Sequence, residues 1–193
     1  IPFKQNVTFF MAKADWQINS ANRLSMRYSG HRNDSPYNNG GGVTLISQTY
    51  NFVDRSHAGA IQLISVVSPN AVNELRVQIP YRSQAQNQFS ANVAGPSITV
   101  SGVANFGNSP NTGFLYEEKT PEITENFSLN RDRHSLKFGG SLRWIPDVYT
   151  QQTSATYTFP SIAAYLAAVA GTAPKGYTSF AQTVGNPSLS YRS

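Results

Sequence analysis

The stretch from Asn126 to Trp144 reads NFSLNRDRHSLKFGGSLRW, and its pattern decides the fold. Phe127 and Leu129 share one parity before a polar break at Asn130–Arg133, and Leu136, Phe138, Leu142 and Trp144 share one parity after it. Alternation on both sides of a polar break describes an antiparallel hairpin, because successive strand residues point to opposite faces. The second arm's other parity carries Ser135, Lys137, Gly139, Ser141 and Arg143. One face is therefore apolar and the other wet. A soluble sheet over a core satisfies this, and so does a membrane barrel with lipid outside and water inside.

The same design recurs upstream. Phe10, Ala12, Ala14, Trp16 and Ile18 alternate with Lys13, Asp15 and Gln17, a polar turn follows at Asn19–Asn22, and Leu24, Met26 and Tyr28 then alternate with Arg23, Ser25, Arg27 and Ser29. A third hairpin turns at Ser68–Ala71, with Pro69 at the second turn position, and its return arm sets Leu75, Val77, Ile79 and Tyr81 against Glu74, Arg76 and Gln78. The expected fold is all-β, with antiparallel up-and-down hairpins forming part of a transmembrane β-barrel. Strand arms are expected at about 6–18, 23–30, 52–67, 72–82, 114–130 and 134–146, and long loops at about 31–51, 83–113 and 147–176. One short loop helix is expected at about 160–170, from Ile162, Tyr165, Leu166 and Val169 at helical spacing between Pro160 and Gly171.

Connection lengths separate the two solvents. They run at about 4, 20, 4, 32, 3 and 30 residues, short and long in strict alternation. A soluble sandwich has no reason to gather its short turns at one end, whereas outer-membrane barrels have short periplasmic turns and long extracellular loops. The arms are also long enough to cross a bilayer when tilted.

Composition agrees. Charged residues make up only 13% and aromatics 12% of the 193 residues, and the mean hydropathy of −0.35 comes mostly from uncharged polar residues, unlike a disordered tail. The net charge is +5, but its Lys and Arg residues are scattered, so nucleic acid is not an expected partner. With no cysteine there is no disulfide scaffold or thiolate metal site. No run of about 18 apolar residues is present to form a spanning helix. The chain opens at IPFKQNVTFF, which already reads as a strand, so a piece of a longer protein is expected.

Energetics assign the faces. A Lys or Arg facing lipid at mid-membrane costs about 2–4 kcal/mol. The candidate lumen-facing residues are therefore Lys13, Asp15, Arg27, Glu74, Arg76, Lys137 and Arg143. The candidate lipid-facing residues are Phe10, Trp16, Leu24, Met26, Leu75, Val77, Leu136, Phe138, Leu142 and Trp144. Trp16, Tyr28, Tyr81 and Trp144 lie near arm ends, where interfacial girdles form. In a soluble sheet they would be core aromatics instead. Asn73 and Glu74 read as lumen groups that hold register.

No catalytic or metal-binding motif emerges. His31, His57 and His134 have no ligand spacing, and Gly40–Gly42 lacks the Lys and helix of a phosphate loop. Glu117, Glu118, Glu122 and Glu125 crowd one arm and read as a solvated lumen wall. The chain is not expected to be an enzyme or to carry a cofactor. Its expected partner is outer-membrane lipid.

Four stretches carry a family resemblance: KADWQINSANRLSMRYS (Lys13–Ser29), SPNAVNELRV (Ser68–Val77), RHSLKFGGSLRW (Arg133–Trp144) and FPSIAAYLA (Phe159–Ala167). Together they resemble a TonB-dependent outer-membrane receptor of the Oar-like group, which has a carboxypeptidase-regulatory-like N-terminal domain. The resemblance implies a 22-stranded barrel, an N-terminal plug and a segment that contacts TonB. No stretch of this chain matches the plug or the TonB box, so coupling to TonB is implied by kinship alone. Six arms cannot close such a barrel, and an open sheet edge cannot sit in lipid. The chain is thus expected to be a mid-barrel piece, partnered by the rest of the barrel and plug, and unstable on its own. The expected function is uptake of a bulky nutrient across the outer membrane of a Gram-negative bacterium. The alternatives are a secreted β domain that binds carbohydrate through its loops, and a plugless porin.

Overall fold

The computed structural model describes residues 4–88, 95–185 and 189–192. Two hairpins come first. β1 (Asn6–Gln17) and β2 (Asn22–Asn38) make one, and β3 (Tyr50–Ser68) and β4 (Ala71–Gln88) make the other. Two short strands, β5 (Ser97–Val100) and β6 (Ala104–Gly107), then leave the main sheet. The chain returns through β7 (Phe114–Lys119) and β8 (Glu122–Arg131), reverses into β9 (His134–Arg143) and β10 (Pro146–Gln151), and continues to β11 (Ser154–Phe159). Helix α1 (Ile162–Val169), β12 (Ser179–Thr183) and β13 (Leu189–Arg192) complete the described elements.

The main sheet is an antiparallel meander. β4 pairs with β8 near its start and with β7 near its end, and the register does not change between Gln78↔Glu122 and Tyr81↔Lys119. β9 pairs with β8 and β10 with β7 in the same unbroken way. β7–β8 and β9–β10 are therefore two arms, each interrupted once. At the interruptions Thr120 N–H donates to the Pro80 carbonyl at 3.2 Å and Trp144 N–H to the Pro121 carbonyl at 3.0 Å. Prolines have no N–H for a ladder, which explains a break where Pro80 and Pro121 meet.

Reversals at one end are short: Ile18–Ala21, Pro69–Asn70 and Asp132–Arg133, the last with Asp132 at φ 53°. Connections at the other end are long and carry structure of their own. β12, β11, β5 and β6 form a second, four-stranded sheet in which β11 and β5 run parallel. This sheet docks on the connection between β2 and β3 through Gln48 Nε2 to Ser97 Oγ (2.6 Å) and Leu45 N–H to the Asn105 carbonyl (2.9 Å), and the end of β4 holds that connection through Gln88 Nε2 to the Ser47 carbonyl (2.9 Å). In α1, Ser161 caps the N-terminus by accepting from Ala164 N–H at 3.2 Å, and Tyr165 packs edge-on against Phe106 and Phe159. Gly171, at φ 76°, follows the helix, as the sequence suggests.

Three loop expectations need correction. The loop at 31–51 is shortened by β2 running to Asn38 and β3 starting at Tyr50. The loop at 83–113 is entered by β4 as far as Gln88 and contains β5 and β6. The loop at 147–176 holds most of β10, all of β11 and α1. The arms at 23–30 and 72–82 are correspondingly longer than expected, that at 114–130 is divided, and that at 134–146 ends as a strand at Arg143 before β10 resumes it. The cause is common to all. Beyond the apolar band both faces of these strands are polar, so the period-two signal vanishes although the ladder continues. Pro160 also lies one residue before the cap rather than inside the helix.

Among the described residues, the buried hydrophobics are only Ala71, Val100 and Phe159. Large apolar side chains on the main sheet stay open, Ile79 at 60% and Leu142 at 79% exposure. No second layer of described chain seals them.

Candidate functional site

The ladder fixes which side chains share a face. One register row runs Lys13, Arg27, Ala60, Gln78, Glu122 and Arg143; the next runs Asp15, Ser25, Gln62, Arg76, Thr124 and Ser141. Glu74, Asn126 and Gly139 follow, with Ser128 and Lys137 beyond them. All seven candidate lumen residues, Lys13, Asp15, Arg27, Glu74, Arg76, Lys137 and Arg143, fall on this polar face. The opposite face has the rows Trp16, Leu24, Leu63, Leu75 and Ala14, Met26, Ile61, Val77, Ile123, Leu142. Nine of the ten candidate lipid-facing residues lie on it within strands: Phe10, Trp16, Leu24, Met26, Leu75, Val77, Leu136, Phe138 and Leu142. Trp144 sits in the interruption between β9 and β10, exposed at 59%.

Charges on the polar face neutralise one another along and across strands. Lys13 Nζ pairs with Asp15 at 2.8 Å, and Ser25 Oγ donates to the same carboxylate. Glu74 accepts from Arg76 on its own strand and from Gln62 across β3. Glu122 receives Arg143 through Nε at 2.9 Å and a terminal nitrogen at 2.6 Å, and Gln78 Nε2 at 3.1 Å. A groove of about 360 Å³ lies among Lys13, Arg27, Gln62, Arg76, Gln78 and Glu122, floored by Ala60. This is a wall of water-seeking groups in fixed positions, with no nucleophile–base pair.

The face has apolar exceptions. Val7, Phe9 and Met11 lie on it near the free edge of β1 and stay 57–66% exposed. The acidic arm also divides differently from the sequence expectation. Glu118 and Glu122 are on the polar face, but Glu117 and Glu125 are on the apolar one, as is Asn73. Strict alternation requires this, since one arm cannot turn four such positions to one side. Gln62 was missed in the sequence, where it stands inside the nearly apolar run Ala58–Val67 and shows no alternating partner.

Toward the long loops both faces become polar. Arg82 grips Asp54 with two bonds, at 3.1 and 2.8 Å, and Gln84 Nε2 adds a third at 3.2 Å. In β7, beyond the apolar band, Tyr116 Oη donates to Glu118 at 2.7 Å and approaches Asp147 at 3.3 Å. The Glu118 carboxylate, then burial, pushes the Tyr116 phenol up to about 12. Among the described residues no group of three His, Asp or Glu could hold a metal ion. His57 instead shares a hydrogen bond of 2.8 Å with Tyr28 Oη.

A family model described as an outer membrane beta barrel domain matches residues 2–192. No curated protein and no solved structure matches the chain.

Proposed function

We propose, from the premise that this chain belongs to the outer membrane beta barrel domain family, that its polar face is the water-lined wall of a passage for solutes. The family places the chain in the outer membrane of a Gram-negative bacterium, where its strands form part of a β-barrel. The observation that carries the proposal is the register, which sorts charged and apolar side chains onto opposite faces over six consecutive arms. In hydrocarbon every backbone group must be paired and every charge turned inward. This chain's band meets the second demand except at Glu125 and, in its last row, at Lys119. It meets the first except at the outer edges of β1 and β9, which the rest of the barrel would cover.

The finer proposal is a TonB-dependent receptor of the Oar-like kind that takes up a bulky nutrient, with outer-membrane lipid, the remaining barrel, a plug and TonB as partners. It is supported by the four stretches quoted from the sequence. The chain acts as a wall rather than as an enzyme and uses no cofactor.

These 193 residues carry no cysteine, so in a parent protein with any cysteine elsewhere replaced by serine a single introduced thiol reports its face. In the full parent protein in outer membranes, Arg76→Cys should react with a polar, membrane-impermeant thiol reagent, and Val77→Cys should not. Equal labelling of the two positions, or the reverse preference, defeats the passage. Uptake that ends when the proton-motive force is collapsed supports the TonB-dependent form, and uptake that persists makes the parent a porin.

A further inference from the structure

Three cations stand along the rim where the apolar band ends, Arg32 and Arg55 on neighbouring strands and Lys119 two strands beyond. The last row of the band runs Phe10, Gly30, His57, Tyr81 and Lys119, and the next row toward the long loops runs Arg32, Arg55, Ser83 and Glu117. Both rows share a face with Leu75, Val77 and Ile79. Arg32 and Arg55 stand directly opposite each other across β2 and β3. Like charges so placed destabilise a sheet unless something lies between them.

The protein neutralises these cations only in part. Arg32 pairs with Asp34 on its own strand. Lys119 Nζ lies 5.8 Å from the centre of the Tyr81 ring, whose hydroxyl donates to Glu117 at 2.7 Å. Arg55 is exposed and forms no hydrogen bond or ion pair with any described residue. Arg27 and Lys137 also have no such partner, but they lie on the polar face, where water solvates them. Arg55 sits beside the greasy band, and three cations there face two acids.

From this placement we infer that Arg55 and Arg32, adjacent across β2 and β3, clamp a phosphate of a phosphorylated lipid headgroup in the outer leaflet. The chemistry fits: a guanidinium fork meets phosphate through two parallel bonds, and Tyr28 and Tyr81 supply the amphipathic rings that settle at headgroup depth. The long loops of barrels of this kind face outward from the cell, which sets this rim at the outer leaflet. The inference rests on the apolar face being the lipid-facing one.

The parent protein can be purified from outer membranes in mild detergent and exchanged into diphosphorylated lipid A or its dephosphorylated form, with retained lipid read by native mass spectrometry. The diphosphorylated form should be retained at least about tenfold better, as expected for one or two charge-assisted bonds. Arg55→Gln combined with Arg32→Gln should remove that preference, Arg55→Lys should keep part of it, and Lys137→Gln on the polar face should leave it unchanged. Added inorganic phosphate that displaces the lipid would mark a site for free anions and overturn the clamp. Equal retention of both lipids by the unaltered protein overturns the clamp and leaves the barrel standing, a comparison that needs no variant to fold. Failure to retain any lipid overturns both.

Discussion

The hairpin of β3 and β4 passes through two environments on one ladder. Near its short turn, Leu63↔Leu75 and Ile61↔Val77 hold one face while Gln62↔Arg76 holds the other. Near the long loops, Asp54↔Gln84 and Arg55↔Ser83 make both faces polar. Packing reverses as well: Ile61 is 50% exposed in the first half, and Asp54 is 7% exposed in the second. In a soluble protein the greasy half would be the covered one. Here Asp54 is enclosed with its own partners Arg82 and Gln84, Arg55 on the other face stays exposed, and the apolar half is left for hydrocarbon. Hydrogen bonding holds the strands together throughout, but the solvent chosen by the side chains changes partway along.

The sharpest way to break this contrast is to place the same charge in both halves of one face. Leu75→Arg should destabilise the folded parent protein in phospholipid vesicles by about 2–4 kcal/mol and impair membrane assembly. Asn87→Arg, twelve residues on and on the same face opposite Asn51, should stay within about 0.5 kcal/mol. Similar unfolding midpoints for the two would mean that no hydrocarbon touches the first position.

The boundary itself should be intermediate. A Cβ at Gly30 would overlap the ring of Phe10, its cross-strand partner, which also packs 5.7 Å from the Tyr28 ring, centre to centre. Gly30→Ala should therefore cost about 1–3 kcal/mol as the ring is displaced. In a Phe10→Ala background the same change should cost much less, and a double-mutant cycle on unfolding free energies reads the difference.

The smallest effect belongs to the polar half. The Tyr116 phenol is held above its ordinary value of 10.0, at about 12, in the folded protein. Its contribution to stability is thus fully present below about pH 10 and is lost as pH rises toward 12. Ultraviolet titration of the phenolates should show a late-titrating component that shrinks by one tyrosine in Tyr116→Phe. An undiminished component in that variant would assign the shift to other rings.

Legibility in the sequence follows the same boundary. Inside the band, alternation at Leu136, Phe138 and Leu142, or at Leu75 and Val77, gave both strand and face, because one side had to avoid water and the other sought it. Beyond the band that contrast disappears. His31–Asn38 and Ser83–Gln88 looked like loop because their Asn, Gln, Ser and Arg residues suit either face. Glu117 and Glu125 were misplaced for a related reason: composition grouped four acids on one arm, while the pleat allows only alternate positions to share a side. The pairing of β5 with β11 joins segments more than fifty residues apart, and no local pattern announces it.

The gaps at Thr120–Pro121 and Trp144–Ile145 lie side by side in adjacent arms, each bridged by a backbone bond that keeps the register. Together they form a crease. β4 runs past that crease as one strand, paired with β8 on one side of it and β7 on the other, and so splints the wall where its neighbours are interrupted.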